Sequence, residues 1–221
     1  MKRPLGAVDQ VPEGVVTGLS ERRAGSARYV ICVNGQPAAT ISSEVIGTLG
    51  LRTGTRIDAA LAAAVQEASG RLEVYDKAIA FLAARARSER EMRTKLRLAG
   101  ANDAAVGETV ERLLHLGLLD DAQYARALAH SRAVGGGMSR LRIAMELQRR
   151  GVSRPVADAA IAETLEEVQL DEEGAARAAA EKRLRALRSL GPEVQRRRLY
   201  AFLARRGYPH DVVSRVLRAL L

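Results

Sequence analysis

One pattern is written three times between residue 88 and the C-terminus: an apolar residue, Leu four positions on, three more residues, Gly, a short polar step and a second amphipathic run. The copies centre on Met92, Leu96 and Gly100, on Ile143, Leu147 and Gly151, and on Leu199, Leu203 and Gly207. Their glycines stand 51 and then 56 residues apart. A supersecondary unit repeated at this period cannot bury its apolar face alone and does so against its neighbours, so the pattern predicts an array of similar helical units along an axis. Arrays of this kind commonly bind long partners.

The rest of the chain must be compatible with that array. With 221 residues, 47% of them hydrophobic, three small repeats and an N-terminal module fit within the chain. Aromatic residues make up only 3% and Trp is absent, so Ala, Leu, Arg and Glu, all good helix formers, must build most of the packing. The expected class is mainly α.

The N-terminal quarter departs from this. Residues 1–14 mix proline, glycine and scattered charge and read as a flexible tail. From Val15 the pattern is β-type: Val15 to Leu19 is short and β-prone, Tyr29 to Val33 is the strongest such run, and Ala38 to Ile41 follows Asn34-Gly35. Asn-Gly between β-prone runs is a hairpin signal, because both residues tolerate positive φ. Ser42 then caps a helix through Leu49, with Gly50 as its stop. Residues 15–74 are thus read as a β-hairpin plus helix module.

Beyond Asp58 everything reads as helix. Ile57, Leu61, Ala64 and Val65 form one amphipathic stretch and Tyr75, Ile79 and Leu82 another, with Ser69-Gly70 as a break between them. Ser88 and Glu91 have the spacing of a capping box. Gly117 to Asp121 marks a stop followed at once by a new N-cap, Gly135 to Gly137 is the most flexible-looking point, and Ser139 opens the second copy. The acidic run Glu163 to Glu173 separates the second copy from the third. The expected repeats are 75–119, 120–170 and 171–221, each of about three helices.

Little in the chain speaks for catalysis. His115, His130 and His210, one cysteine and dispersed acids form no metal-ligand cluster, and a histidine base needs a partner and a site that the sequence does not reveal. The glycines at 135–137 lack the following Gly-Lys-Ser or Gly-Lys-Thr of a phosphate loop. The reading is a protein that is no enzyme, with no catalytic residue, cofactor or metal. Cys32, the only cysteine, the lack of a signal-peptide pattern and the lack of an apolar membrane span point to a cytoplasmic protein without membrane contact. No long heptad seam is present, and a monomer is expected.

Charge narrows the partner. The formal net charge is +9, from 35 Lys and Arg against 26 Asp and Glu, which favours nucleic acid or an acidic protein surface. A helix-turn-helix reading would send the second helix of each copy into the DNA groove. That helix carries Asp103, Glu108 and Glu111 in copy one and Asp158 and Glu163 in copy two, so phosphates repel it; only copy three, with Arg215 and Arg218, escapes the objection.

The cations sit instead on the helix before each glycine. They are Arg90, Arg93, Lys95 and Arg97 in copy one; Arg140, Arg142, Arg149 and Arg150 in copy two; and Arg196, Arg197, Arg198, Arg205 and Arg206 in copy three. Arg142 with Arg149, and Arg198 with Arg205, are seven apart and share a helix face. Net charge is +1 over residues 1–74, +2 over 75–119, 0 over 120–170 and +6 over 171–221, so the excess is concentrated where a binding site would be. The apolar motif positions are core, and Tyr75, Tyr124 and Tyr200 are read as packing residues.

Ala86 to Met92, Gly117 to Asp121 with Tyr124-Ala125, Ser139 to Ile143 leading to Glu146-Leu147 and Gly151 to Ser153, and Arg198 to Tyr208 together resemble the RecX family of bacterial recombination regulators. The match covers about residues 75–221 in order and spacing. The resemblance implies three-helix repeats in an elongated, curved array behind the small N-terminal β module. It implies a negative regulator of homologous recombination that binds the RecA recombinase filament on single-stranded DNA, lies in its groove and limits extension, ATP hydrolysis and strand exchange. It also implies binding to single-stranded and double-stranded DNA with little sequence preference. Here Gly135 to Gly137 stands where a basic stretch is often found, and copy two is nearly neutral.

Two other readings remain open from the sequence. One is a DNA-binding helical regulator that uses copy three as its reading head; the other is a helical-repeat scaffold for an acidic protein partner.

Overall fold

A computed structural model of the chain describes residues 5–7, 9–135, 137–167 and 171–221. The chain divides into two compact units: residues 1–86 with 92–118, and residues 87–91 with 119–221. Within residues 1–14, positions 1–4 and 8 lie outside the described residues, while Val11 is 3% exposed and belongs to the core of the first unit.

The first unit opens on a four-stranded antiparallel sheet of strands β1 (Gly14–Glu21), β2 (Arg28–Val33), β3 (Gln36–Ser42) and β4 (Arg56–Ile57), in the order β3-β2-β1-β4. Asn34 and Gly35 both take positive φ, 50° and 82°, as a two-residue hairpin turn between right-twisted strands requires. Helix α1 (Ser43–Thr48) follows, and the Ser42 side chain accepts from the Val45 N–H as its N-cap. Ile57, read from sequence as helical, is instead a strand residue: it pairs with Gly14 and is 1% exposed, just before the Asp58 cap.

Helix α2 (Ala59–Ala84) runs 26 residues without a break, so Ser69-Gly70 does not interrupt it. The glycine has a packing reason. The backbone carbonyl of Gly6 lies where a Cβ on residue 70 would stand, and the Gly6 N–H donates to Glu73, one turn further along α2, at 3.2 Å. A helix-interior glycine tolerated for close backbone approach looks identical, in sequence, to a break. The face of α2 bearing Ala62 and Val65 joins Val16, Ile31, Val33, Ile41 and Ile57 in one apolar cluster.

The described residues of the three copies form helices joined by short turns. Helices α3 (Glu89–Leu98) and α4 (Asp103–His115) belong to the first copy; α5 (Asp121–His130), α6 (Arg140–Arg149) and α7 (Arg154–Glu167) to the second; α8 (Glu172–Arg185), α9 (Pro192–Arg205) and α10 (His210–Leu220) to the third. Past α5 the chain makes a π-helical turn, Ser131–Gly135. Of the glycine run, Gly136 lies outside the described residues; residues 168–170 of the acidic separator do as well.

All six apolar motif positions, Met92, Leu96, Ile143, Leu147, Leu199 and Leu203, are at most 1% exposed. Burial of each such side chain contributes about 1.5–3 kcal/mol. The spacing of Leu to Gly also has a backbone reason. Gly100, Gly151 and Gly207 take φ of 97°, 89° and 85° just past their helices. The N–H of the next residue then folds back onto the motif Leu carbonyl: Ala101 to Leu96 and Val152 to Leu147, both at 3.1 Å, and Tyr208 to Leu203 at 3.3 Å. This is the Schellman arrangement, in which the residue after glycine is apolar and covers the helix end, as the buried Ala101, Val152 and Tyr208 do here.

Candidate functional site

In the second unit two junctions have the same construction. Ser88 and Glu91 form a reciprocal capping box, with Glu91 N–H donating to Ser88 Oγ at 3.2 Å and Ser88 N–H to Glu91 Oε2 at 3.4 Å. The Ser88 hydroxyl donates in turn to the carbonyl of Arg150, the residue before Gly151. One copy further on, Ser139 caps α6, and its N–H donates at 3.1 Å to the carbonyl of Arg206, the residue before Gly207. A helix C-terminus leaves carbonyls without partners, and here the N-cap serine of one copy satisfies such a carbonyl in the next.

The thirteen basic positions divide by what they do. Arg150 is engaged internally: it donates to Tyr124 Oη at 2.9 Å and to Glu146 at 2.8 Å and lies 3.7 Å from Glu91. Arg132 completes this network with two 2.9 Å bonds to Glu146. The hydrogen bonds from Arg132 hold the Glu146 carboxyl below the usual carboxylate range against the effect of burial. Burial opposes the charge of Arg150, and its bonds to Tyr124 and Glu146 outweigh that opposition. Arg97 bonds Asp103 at 2.7 Å. The Arg206 guanidinium carbon lies over the Phe202 ring, 3.8 Å from its centroid, and burial, reinforced by Arg183, disfavours its charge.

The remaining positions are differently placed. Arg90, in the second unit, covers Gly151 with its aliphatic stem, while Arg93 is half-buried and Lys95 exposed in the first. Arg140 and Arg149 are exposed on α6 and Arg142 is half-buried. On α9, Arg196, Arg197, Arg198 and Arg205 are all exposed, and among the described residues none of the four is in an ion pair. Together they put four guanidinium groups without an ion pair among the described residues on one helix.

Helix α10 does not extend that surface into a reading head. Arg215 is held by Glu173 at 2.8 Å and Asp211 at 3.0 Å, and Arg218 donates to its own helix at Ser214 O. Both cations that encouraged a groove-reading role are turned to neighbours within the repeat.

Three features escaped the sequence reading. Tyr200, expected to pack, is 40% exposed, and its hydroxyl lies 3.0 Å from Nδ1 of His210. His210 is therefore not a lone histidine: Ser214 Oγ is 3.4 Å from its Nε2. Phe202 is flanked by Arg206 and, at 5.8 Å, Arg183. Lastly, the exposed position ten residues before the motif glycine holds Arg90 in copy one and Arg197 in copy three, but Leu141, 60% exposed, in copy two. Met145, one turn on, is 42% exposed. The copies thus differ at matching surface positions, which periodicity of the core cannot reveal. Among the described residues no group of three or more His, Cys, Asp or Glu is arranged to hold a metal, and no helix is long and apolar enough to cross a membrane.

Comparison with known proteins follows the repeats. Residues 75–113, 120–161 and 171–217 match the first, second and third three-helix domains of RecX respectively. A regulatory protein RecX from Amycolatopsis mediterranei is 37% identical over 137 residues, which span 62% of this chain and 77% of the relative. One from Geobacillus kaustophilus is 30% identical over 209 residues, 92% of this chain and 76% of the relative. A crystal structure of a regulatory protein RecX superposes with a TM-score of 0.71 at 21% identity, covering 91% of this chain and 98% of the other. That last likeness is one of fold.

Proposed function

Since the chain belongs to the RecX family of regulatory proteins, we propose that it is a negative regulator of homologous recombination that acts on the RecA recombinase filament assembled on single-stranded DNA. The observation that carries this reading is the uneven use of one repeated surface. In the third repeat, Arg196, Arg197, Arg198 and Arg205 face solvent without carboxylate partners among the described residues, a surface suited to backbone phosphates and indifferent to base sequence. In the second repeat the corresponding helix presents Leu141 and Met145 between Arg140 and Arg149. Apolar side chains gain nothing from phosphates and fit an acidic-rimmed protein surface.

Repeats 75–119, 120–170 and 171–221 then act as separate contact modules along one chain. The third holds the strand and the second holds a recombinase protomer, so weak contacts combine through effective concentration. The protein limits filament extension, ATP hydrolysis and strand exchange by occupying the groove, and it performs no chemistry itself. It acts as a cytoplasmic monomer and binds single-stranded and double-stranded DNA without strong sequence preference.

The test is a titration of RecA ATP hydrolysis on single-stranded DNA. Inhibition at far fewer copies of this protein than of recombinase protomers is expected. Inhibition only near one-to-one, or only when the protein outcompetes RecA for bare DNA, would reject filament regulation. Sequence-selective retention of a duplex would support the reading-head alternative; partner binding that persists in high salt without DNA would support the scaffold.

A further inference from the structure

Helices α9 and α10 enclose a cleft of about 360 Å³ whose lining includes Glu193, Arg196, Arg197, Tyr200, His210 and Ser214. Two of these are cationic at all ordinary pH and three carry hydroxyl or imidazole donors, a ligand set suited to a tetrahedral oxyanion. Glu193 is the one carboxylate in the lining. Asp211 and Arg215 of α10 are paired with one another, and Glu173 of α8 is paired with Arg215, so these groups leave the cleft's charge to Arg196, Arg197, His210 and Glu193.

The imidazole sits at the centre of this set. Its ring meets Tyr200 edge-on, with centroids 5.8 Å apart and planes at 63°, and its two nitrogens face Tyr200 Oη at 3.0 Å and Ser214 Oγ at 3.4 Å. In the neutral tautomer with the ring hydrogen on Nε2, Nδ1 accepts the Tyr200 proton and Nε2 faces Ser214 Oγ. Protonation makes Nδ1 a donor as well. Tyr200 Oη must then accept, and its own O–H is released to point elsewhere, into the cleft.

We infer that this cleft seats one backbone phosphate of a single-stranded nucleic acid, and that a proton on His210 tightens the seat by adding a positive charge and freeing the Tyr200 hydroxyl as a donor. The inference rests on the nucleic-acid half of the function proposed above and adds to it a defined subsite and a pH dependence. The volume of about 360 Å³ leaves room for a phosphate group, and Arg198 and Arg205 are further exposed cations of α9 outside the cleft lining.

The experiment is fluorescence anisotropy of a labelled oligothymidylate against the full chain at constant ionic strength, at about pH 8 and about pH 6. Wild type is expected to bind at least about threefold more tightly at pH 6, a change of the size one added charge contact gives. His210→Gln should bind equally at both pH values, and Tyr200→Phe should keep a reduced response. Glu193→Gln should bind more tightly at both. His115→Gln combined with His130→Gln should leave the wild-type response intact, since neither lines the cleft. An undiminished pH response in His210→Gln would overturn the subsite while leaving general strand binding in place. Absence of binding by wild type at either pH would overturn the nucleic-acid reading together with it. Displacement of the oligonucleotide by millimolar inorganic phosphate, as effective as by excess unlabelled strand, would assign the cleft to a free anion and overturn the strand assignment.

Discussion

The hydroxyl of Ser88 donates to the carbonyl of Arg150, 62 residues further along the chain. Ser88 already accepts from Glu91 as a helix cap, so one buried side chain ends one helix and begins another. Ser139 stands in the same place toward Arg206, using its N–H. Repetition in sequence is matched by repetition at the junctions.

Replacing Ser88 with Ala removes the cap and leaves the Arg150 carbonyl without this donor. The expected loss is about 1–2 kcal/mol, from capping alone upward. A lowered urea midpoint with unchanged slope checks it. A change below a few tenths of a kcal/mol would show that the serine acts only as a surface residue.

Gly151 and Gly207 combine positive φ with close neighbours: the Arg90 side chain crowds the first, and Ser139 Oγ lies 2.8 Å from where a Cβ on the second would stand. Alanine at either position is expected to cost at least about 1–2 kcal/mol from left-handed strain. Gly107, inside α4 with open space around it, provides the contrast: Gly107→Ala should stabilise by about 0.5–1 kcal/mol. Thermal unfolding of the three variants decides the matter, and equal effects at 107 and 151 would contradict it.

Glu146 is a carboxylate whose folded-state affinity for protons is lowered by Arg132 and Arg150. Its contribution to stability is therefore present above its ordinary 4.5 and lost as pH falls below that value through the lowered folded one. Wild type should lose stability across that acid window more steeply than Glu146→Gln, which is already weakened at pH 7. Parallel pH profiles from denaturant unfolding would remove Glu146 from the acid response.

The free and engaged arginines should separate by assay. Arg196→Ala, Arg197→Ala and Arg198→Ala together are expected to weaken single-strand binding and flatten the plot of log K against log salt by about 0.7 for each phosphate no longer neutralised. Arg150→Ala should instead lower the unfolding midpoint, because it leaves Glu146 and Glu91 without that partner. An unchanged salt slope in the triple variant would reject the α9 assignment.

Leu141→Ser with Met145→Ser tests the protein-facing role of α6. Both side chains are exposed, so stability should shift by no more than about 0.5 kcal/mol. Binding to bare single strands should remain, while inhibition of the recombinase should weaken at least about tenfold, as removal of an apolar anchor does. Unaltered inhibition would place the recombinase contact elsewhere.

Local rules made much of this protein readable from its residues alone. Periodicity located the six buried motif positions, the Asn34-Gly35 turn and the Ser42, Ser88, Asp120 and Ser139 caps follow from side-chain chemistry within a few residues, and the glycines mark the helix ends because only they take the required φ without strain. Tertiary structure decided what depends on distant partners. It made α2 continuous at Gly70, through the backbone of Gly6; it drew Ile57 into a sheet, by pairing with Gly14; and it sorted thirteen similar basic residues into internal braces and free cations according to which carboxylates and rings lie beside them. A charge is visible in a sequence, but whether it is already neutralised is a property of what the fold brings within about 4 Å of it.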